Sequence, residues 1–365
     1  MWNPGHRTDR KQGRLRAWGL GASVVALVAA VAAQGLEASA SVGRRDPGAH
    51  AHRGSSSRPE GHLGSGAHPE HRRLEWAGAP DATWSRYMST VDRRRMRRLG
   101  CDLARRIRAG GESHDALVVL AFGMPMLHRG RFGASLFGHF ANSRKIGGAA
   151  VAYARGFGAC LRNAEGHLTL SVGTSNYGRD VTHRHGRNWG SMVNRANRVL
   201  KTWGIADTVT VAGGNDIEPG WRGPEATRRW IRGYASVTST PYYNFGGAAG
   251  CPPIGFCQGD WTIEDIWYAA WGSGVAVPLP EIYSNTGSNA EQWYRLSLYS
   301  YKAHGERMDI AGAMSQLQSC WDSHDRCRGI RNPPNRSWSQ LWHALNRDPR
   351  TAQPLRFSTN ISWQN

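Results

Sequence analysis

Asp216 and Glu218 stand two residues apart at the end of the run Thr208 to Gly214, and Glu281 lies in a second apolar run, Val275 to Tyr283. Side chains alternate across an extended segment. Thr208, Thr210, Ala212, Gly214, Asp216 and Glu218 therefore share one face, and Val209, Val211, Gly213, Asn215 and Ile217 the other. Two carboxyl groups on one strand face couple, each raising the proton affinity of its neighbour. A protonated carboxyl beside an ionised one suits hydrolysis of a glycosidic bond: the acid protonates the leaving oxygen while the other group attacks, activates water or stabilises positive charge. This spacing makes Glu218 the general acid, Asp216 its charge partner, and Glu281, on one face with Tyr283, the opposing base or nucleophile. Trp221, Tyr243 and Tyr283 offer aromatic faces to sugar rings. Asn176, Tyr177, Asn215, Asn244 and Gln316 complete the expected substrate-binding set.

Other chemistries lack their signatures. Neither a GxGxxG nor a GxxxxGK[ST] phosphate loop occurs, so no nucleotide cofactor is expected. GxSxG and HExxH are also missing, which disfavours an esterase or a peptidase. The cysteines and histidines have no zinc spacing, and no metal or other cofactor is expected.

The carboxylates need a scaffold that brings strand ends together. Seven runs have strand character: 116–122, 168–174, 208–214, 241–246, 275–283, 308–316 and, more weakly, 355–361. Helical periodicity lies between them. Trp189, Met192, Val193, Ala196, Val199, Leu200 and Trp203 form one inner face, Pro224 opens a further helix, and Ser288 with Glu291 suggests a capping box for a helix running to His304. Alternating strands and helices imply a parallel sheet, and seven strands without a phosphate loop favour a closed α/β fold, a (β/α) TIM-type barrel. An amphipathic helix is expected to precede it, because Trp84, Tyr87, Met88, Val91, Leu99, Leu103 and Ile107 recur at three- and four-residue spacing.

The segments resemble secreted glycoside-hydrolase-type barrels of the lysozyme-like and chitinase-like groups, whose mid-barrel strand ends in D-x-E. Asp216-Ile217-Glu218 matches that end, Leu170-Ser171-Val172-Gly173 resembles the chitinase-like strand before it, and Pro280-Glu281-Ile282-Tyr283 resembles a later strand of the lysozyme-like group. Glycine and asparagine replace the chitinase pattern's upstream aspartates, so the resemblance does not carry over its substrate-assisted mechanism. The chain also resembles an exported actinobacterial protein family with no activity attached to it.

Export follows from the N-terminal residues. Arg7, Arg10, Lys11, Arg14 and Arg16 precede an uncharged run from Ala17 to Leu36, and Ala38-Ser39-Ala40 fits a signal-peptidase site. Residues 1–40 are expected to be a cleaved signal, or else a membrane anchor that leaves the rest outside. Residues 41–83 read as a Gly, Ser, Pro, His and Arg linker, and 84–365 as a single domain. In an oxidising compartment six cysteines imply disulfides. The short spacings favour Cys251 with Cys257 and Cys320 with Cys327, leaving Cys101 with Cys160. More than half of the net charge of +19 falls before residue 111, and no reader motif accompanies it. It therefore suits contact with an anionic cell envelope rather than specific nucleic-acid recognition. The expected function is hydrolysis of cell-wall or environmental polysaccharide, peptidoglycan included. The alternatives are a non-catalytic glycan- or wall-binding barrel and a secreted hydrolase of another class.

Overall fold

The computed structural model describes residues 78–109, 115–162, 165–175, 177–219, 222–251, 257–322, 327 and 329–364. The expected signal, nearly all of the linker, Asn176 and Trp221 lie outside them.

Eight parallel strands form the barrel: β1 (Thr83–Met88), β2 (Ala116–Ala121), β6 (Leu168–Ser175), β7 (Val209–Asp216), β8 (Tyr242–Asn244), β9 (Ala276–Pro278), β10 (Gly312–Ser315) and β11 (Phe357–Gln364). They neighbour one another in chain order, and β1 pairs with β11 from Thr83↔Thr359 to Met88↔Gln364. The seam between β9 and β10 is joined by a Glu281↔Met314 bridge and by the Met314 and Ile282 amides donating to Pro280 and Met314 carbonyls, each at 2.9 Å. Around the barrel lie α1 (Arg93–Ala109), α2 (Ser143–Leu161), α3 (His183–Thr202), α4 (Pro224–Ala235), α5 (Ile263–Trp267), α6 (Ser288–His304), α7 (Leu317–Asp322) and α8 (Pro334–Asn346).

Strand alternation builds two cores. Val118, Leu120, Leu170, Val172, Val209, Val211 and Tyr242 face outward under the helices. Leu117, Val119, Ala212, Tyr243, Phe245, Leu279, Met314 and Ile361 fill the barrel. A Cβ on Gly214 would lie 3.1 Å from Phe245 Cε1, and one on Gly173 only 2.5 Å away. These glycines therefore admit the Phe245 ring at a level just below Asp216.

The first element differs from its periodicity. The helix is present but starts at Arg93, and Thr83–Met88, expected to be its first turns, is the eighth barrel strand. The apolar spacing of Trp84, Tyr87 and Met88 suits a helix, but Ser85 is completely buried inside the barrel. Its hydroxyl accepts from Val119 N at 2.8 Å and bonds to Thr359 Oγ1 at 2.7 Å, so a position that looks polar and solvent-facing is a core contact.

Three further features depart from expectation. An antiparallel sheet, β3 (Met124–His128), β4 (Arg131–Ser135) and β5 (Phe140–Asn142), is inserted between β2 and α2. Gly287, not Ser288, is the N-cap of α6, and Glu291 pairs instead with Arg295 and Arg347. Trp203 lies past the end of α3, 44% exposed, under the Arg155 guanidinium. All three disulfides pair as expected. Among the described residues no helix is long and apolar enough to cross a membrane.

Candidate active site

The interior face of β7 runs on past its end to Glu218, and that of β9 to Glu281 and Tyr283. Asp216, Glu218 and Glu281 thereby meet at the C-terminal mouth of the barrel, where this architecture places its chemistry. One carboxylate oxygen from each lies within 4.8 Å of the others. Asp216 and Glu281 are buried, and Glu218 is partly exposed. Glu218 and Glu281 are hydrogen-bonded to one another, and the Gly247 amide donates to Glu218. A Cβ on Gly247 would lie 3.0 Å from Glu218 Oε1 and 3.6 Å from Glu281 Oε2, so a bare backbone is what fits over the pair. Tyr283 donates to Glu281 Oε1 at 2.8 Å and has Tyr87 as a neighbour.

The electrostatics follow from taking three carboxyls out of water in one place. Burial holds Glu281 well above the usual carboxylate range, and the Glu218 and Asp216 charges push it further. Asp216 is also well raised, by burial and then by Glu218, and its Oδ1 is buried without a hydrogen-bond partner. Burial raises Glu218 as well, but the hydrogen bonds from Glu281 and Gly247 oppose that rise. Glu281 is thus the more strongly raised of the two and Glu218 the less. Burial pushes Tyr87 and Tyr283 well up, so both phenols stay neutral. Three converging carboxylates are also the donor type that holds a hard cation.

The other expected site residues divide. Tyr283 is in the site, and Gln316 is buried at the mouth end of β10, on the same parity as Met314. Tyr177 is exposed on the loop after β6. Tyr243 does not reach the mouth: its ring fills the barrel and its hydroxyl lies near Thr169, close to the start of β6. Asn244 faces outward, where its Oδ1 accepts from Ile217 N at 3.3 Å and Gly246 N at 3.1 Å, bracing the backbone that carries Glu218. Asn215 is completely buried on the outward face, with neither amide atom hydrogen-bonded. Sequence reasoning missed Tyr87, which was assigned to a helix, and Gly247, whose role depends on a backbone amide.

Disulfides hold two loops at this end of the barrel. Cys251–Cys257 closes the loop after β8, which supplies Gly247, and Cys320–Cys327 closes the segment after β10. No protein-family model matches the chain, and no curated protein matches it significantly.

Proposed function

We propose that the mouth hydrolyses glycosidic bonds in an extracellular polysaccharide, with Glu281 as general acid and Glu218 as nucleophile. The observation that carries this reading is the convergence of three carboxylates, unequal in proton affinity, at the C-terminal end of a barrel. Glycosidases that retain configuration keep their two carboxyls about 5–5.5 Å apart, and inverting ones leave roughly 6.5–9.5 Å for a water. Oxygens of Glu218 and Glu281 lie within 4.8 Å of one another, nearer the first separation than the second. Glu218 would bond to the anomeric carbon as the glycosidic C–O bond breaks and the Glu281 proton passes to the leaving oxygen. Glu281 would then take a proton from the water that releases the sugar. Asp216 keeps the pair's proton affinity high. These roles exchange the ones that spacing alone suggests for Glu218 and Glu281, because burial and the neighbouring charges raise Glu281 further.

Three disulfides fit an extracellular protein. With the signal-like residues 1–40, they support secretion and a polysaccharide of the cell wall or surroundings as substrate.

The roles separate by leaving group. Glu281→Gln should slow oligosaccharide cleavage by about 10²–10⁴-fold but spare the initial burst of phenolate from an aryl glycoside, whose leaving group needs no proton, while steady turnover stays slow because the second step still needs the base. Glu218→Gln should lose both activities. Full oligosaccharide cleavage by either variant would remove that residue from the mechanism. Glycan binding without cleavage by the wild-type protein would instead favour a binding barrel.

A further inference from the structure

The inserted sheet contributes a residue to the mouth that no step above uses. The chain leaves β2 through Gly123 (φ +77), where a Cβ would collide with the Ser135 carbonyl, so the end of β4 lies directly against the top of the barrel. Residues 136–139 join β4 to β5 there. Among them Phe137 has a positive φ of 52°, a conformation that L-residues rarely adopt, and its side chain is 40% exposed. Core packing explains neither the strain nor the exposure.

What the ring does contact is informative. It stands edge-on to Trp363, with centroids 4.8 Å apart, and to Tyr87 at 6.0 Å. Tyr87 and Trp363 lie against one another at 4.7 Å. They are paired in register on β1 and β11, on the parity that faces into the barrel. Tyr87 also neighbours Tyr283, which donates to Glu281. A continuous aromatic surface therefore climbs from the carboxylates to solvent, and its outermost member carries no polar group. The C–H face of a pyranose ring is the complement of such a surface, and equatorial linkage keeps successive rings flat enough to follow it.

We propose that Phe137, with Trp363 and Tyr87, is a stacking platform for sugar units beside the cleaved bond. The substrate would then be a chain of equatorially linked pyranoses rather than a single terminal sugar. The proposal rests on the glycoside reading of the carboxylate site. It is tested by titrating cellohexaose and chitohexaose into the Glu218→Gln protein with and without a change at Phe137. Phe137→Ala, and Phe137→Leu, which keeps the turn packed but has no ring, should each weaken binding of at least one hexasaccharide about tenfold. Phe137→Trp should restore it, with thermal midpoints unchanged across the series. Equal affinity with and without the ring would overturn the platform. Phe137-dependent binding by a wild-type protein that cleaves neither chain would overturn the hydrolase reading and keep the platform. Cleavage that Phe137→Ala leaves unchanged would do the reverse, and absence of both binding and cleavage would end both.

Discussion

At Glu281 proton affinity and stability are linked. A carboxyl whose proton affinity is raised on folding stabilises the folded state fully below its unfolded pKa, near 4, and loses that contribution as pH rises through the folded value. Asp216, Glu218 and Glu281 are all raised, so each acts in the same direction. The thermal midpoint should therefore fall as pH rises from about 4 toward neutrality. Glu281→Gln should flatten that slope and raise the midpoint at neutral pH; a steeper slope in the variant would contradict the assignment. Ser85 gives a second test at this scale. Ser85→Ala removes the acceptor from Val119 N inside the barrel and should cost about 1–3 kcal/mol in denaturant unfolding. The carboxylates were legible in the sequence because strand alternation continues past the last paired residue of β7. Tyr243 was misplaced for the converse reason: parity gives the face of a strand but not the height along the barrel at which a long side chain ends.

Elements were legible where apolar pattern and length agreed. β2, β6 and β7 are continuous or alternating runs of strand length, and all three fall within two residues of expectation. β1 was hidden because its interior positions are Thr83, Ser85 and Tyr87, which give no alternation in hydropathy. The inserted sheet was hidden because the turn joining β3 and β4 is Arg129-Gly130, with arginine where asparagine or aspartate usually signals such a hairpin. Cysteine spacing was more informative, since its pairing gave a testable link between α1 and α2. The Cys101–Cys160 bridge closes a long segment, with a sequence separation of 59. Chain-entropy arguments give such a bridge about 4 kcal/mol. Paired Cys101→Ser and Cys160→Ser changes should lower unfolding free energy by roughly that amount, and by more than the same change at Cys251 and Cys257, whose short loop is worth about 2 kcal/mol.

For the whole molecule, the parallel arrangement of the barrel sets a direction. Every barrel strand runs toward the carboxylates, so β1 enters at the far end with Thr83 and β11 leaves beside the aromatic platform at Trp363. A bulky domain fused after β11 should therefore impede large glycans while sparing small aryl glycosides, whereas the same domain fused ahead of residue 78 should impede neither. Rates on the two substrate sizes distinguish these outcomes. The same polarity governs how the molecule would be moored. Any attachment through its N-terminal side grips the base and presents the carboxylate end outward, so the length of the leash, rather than any rotation of the barrel, determines how far that end can reach.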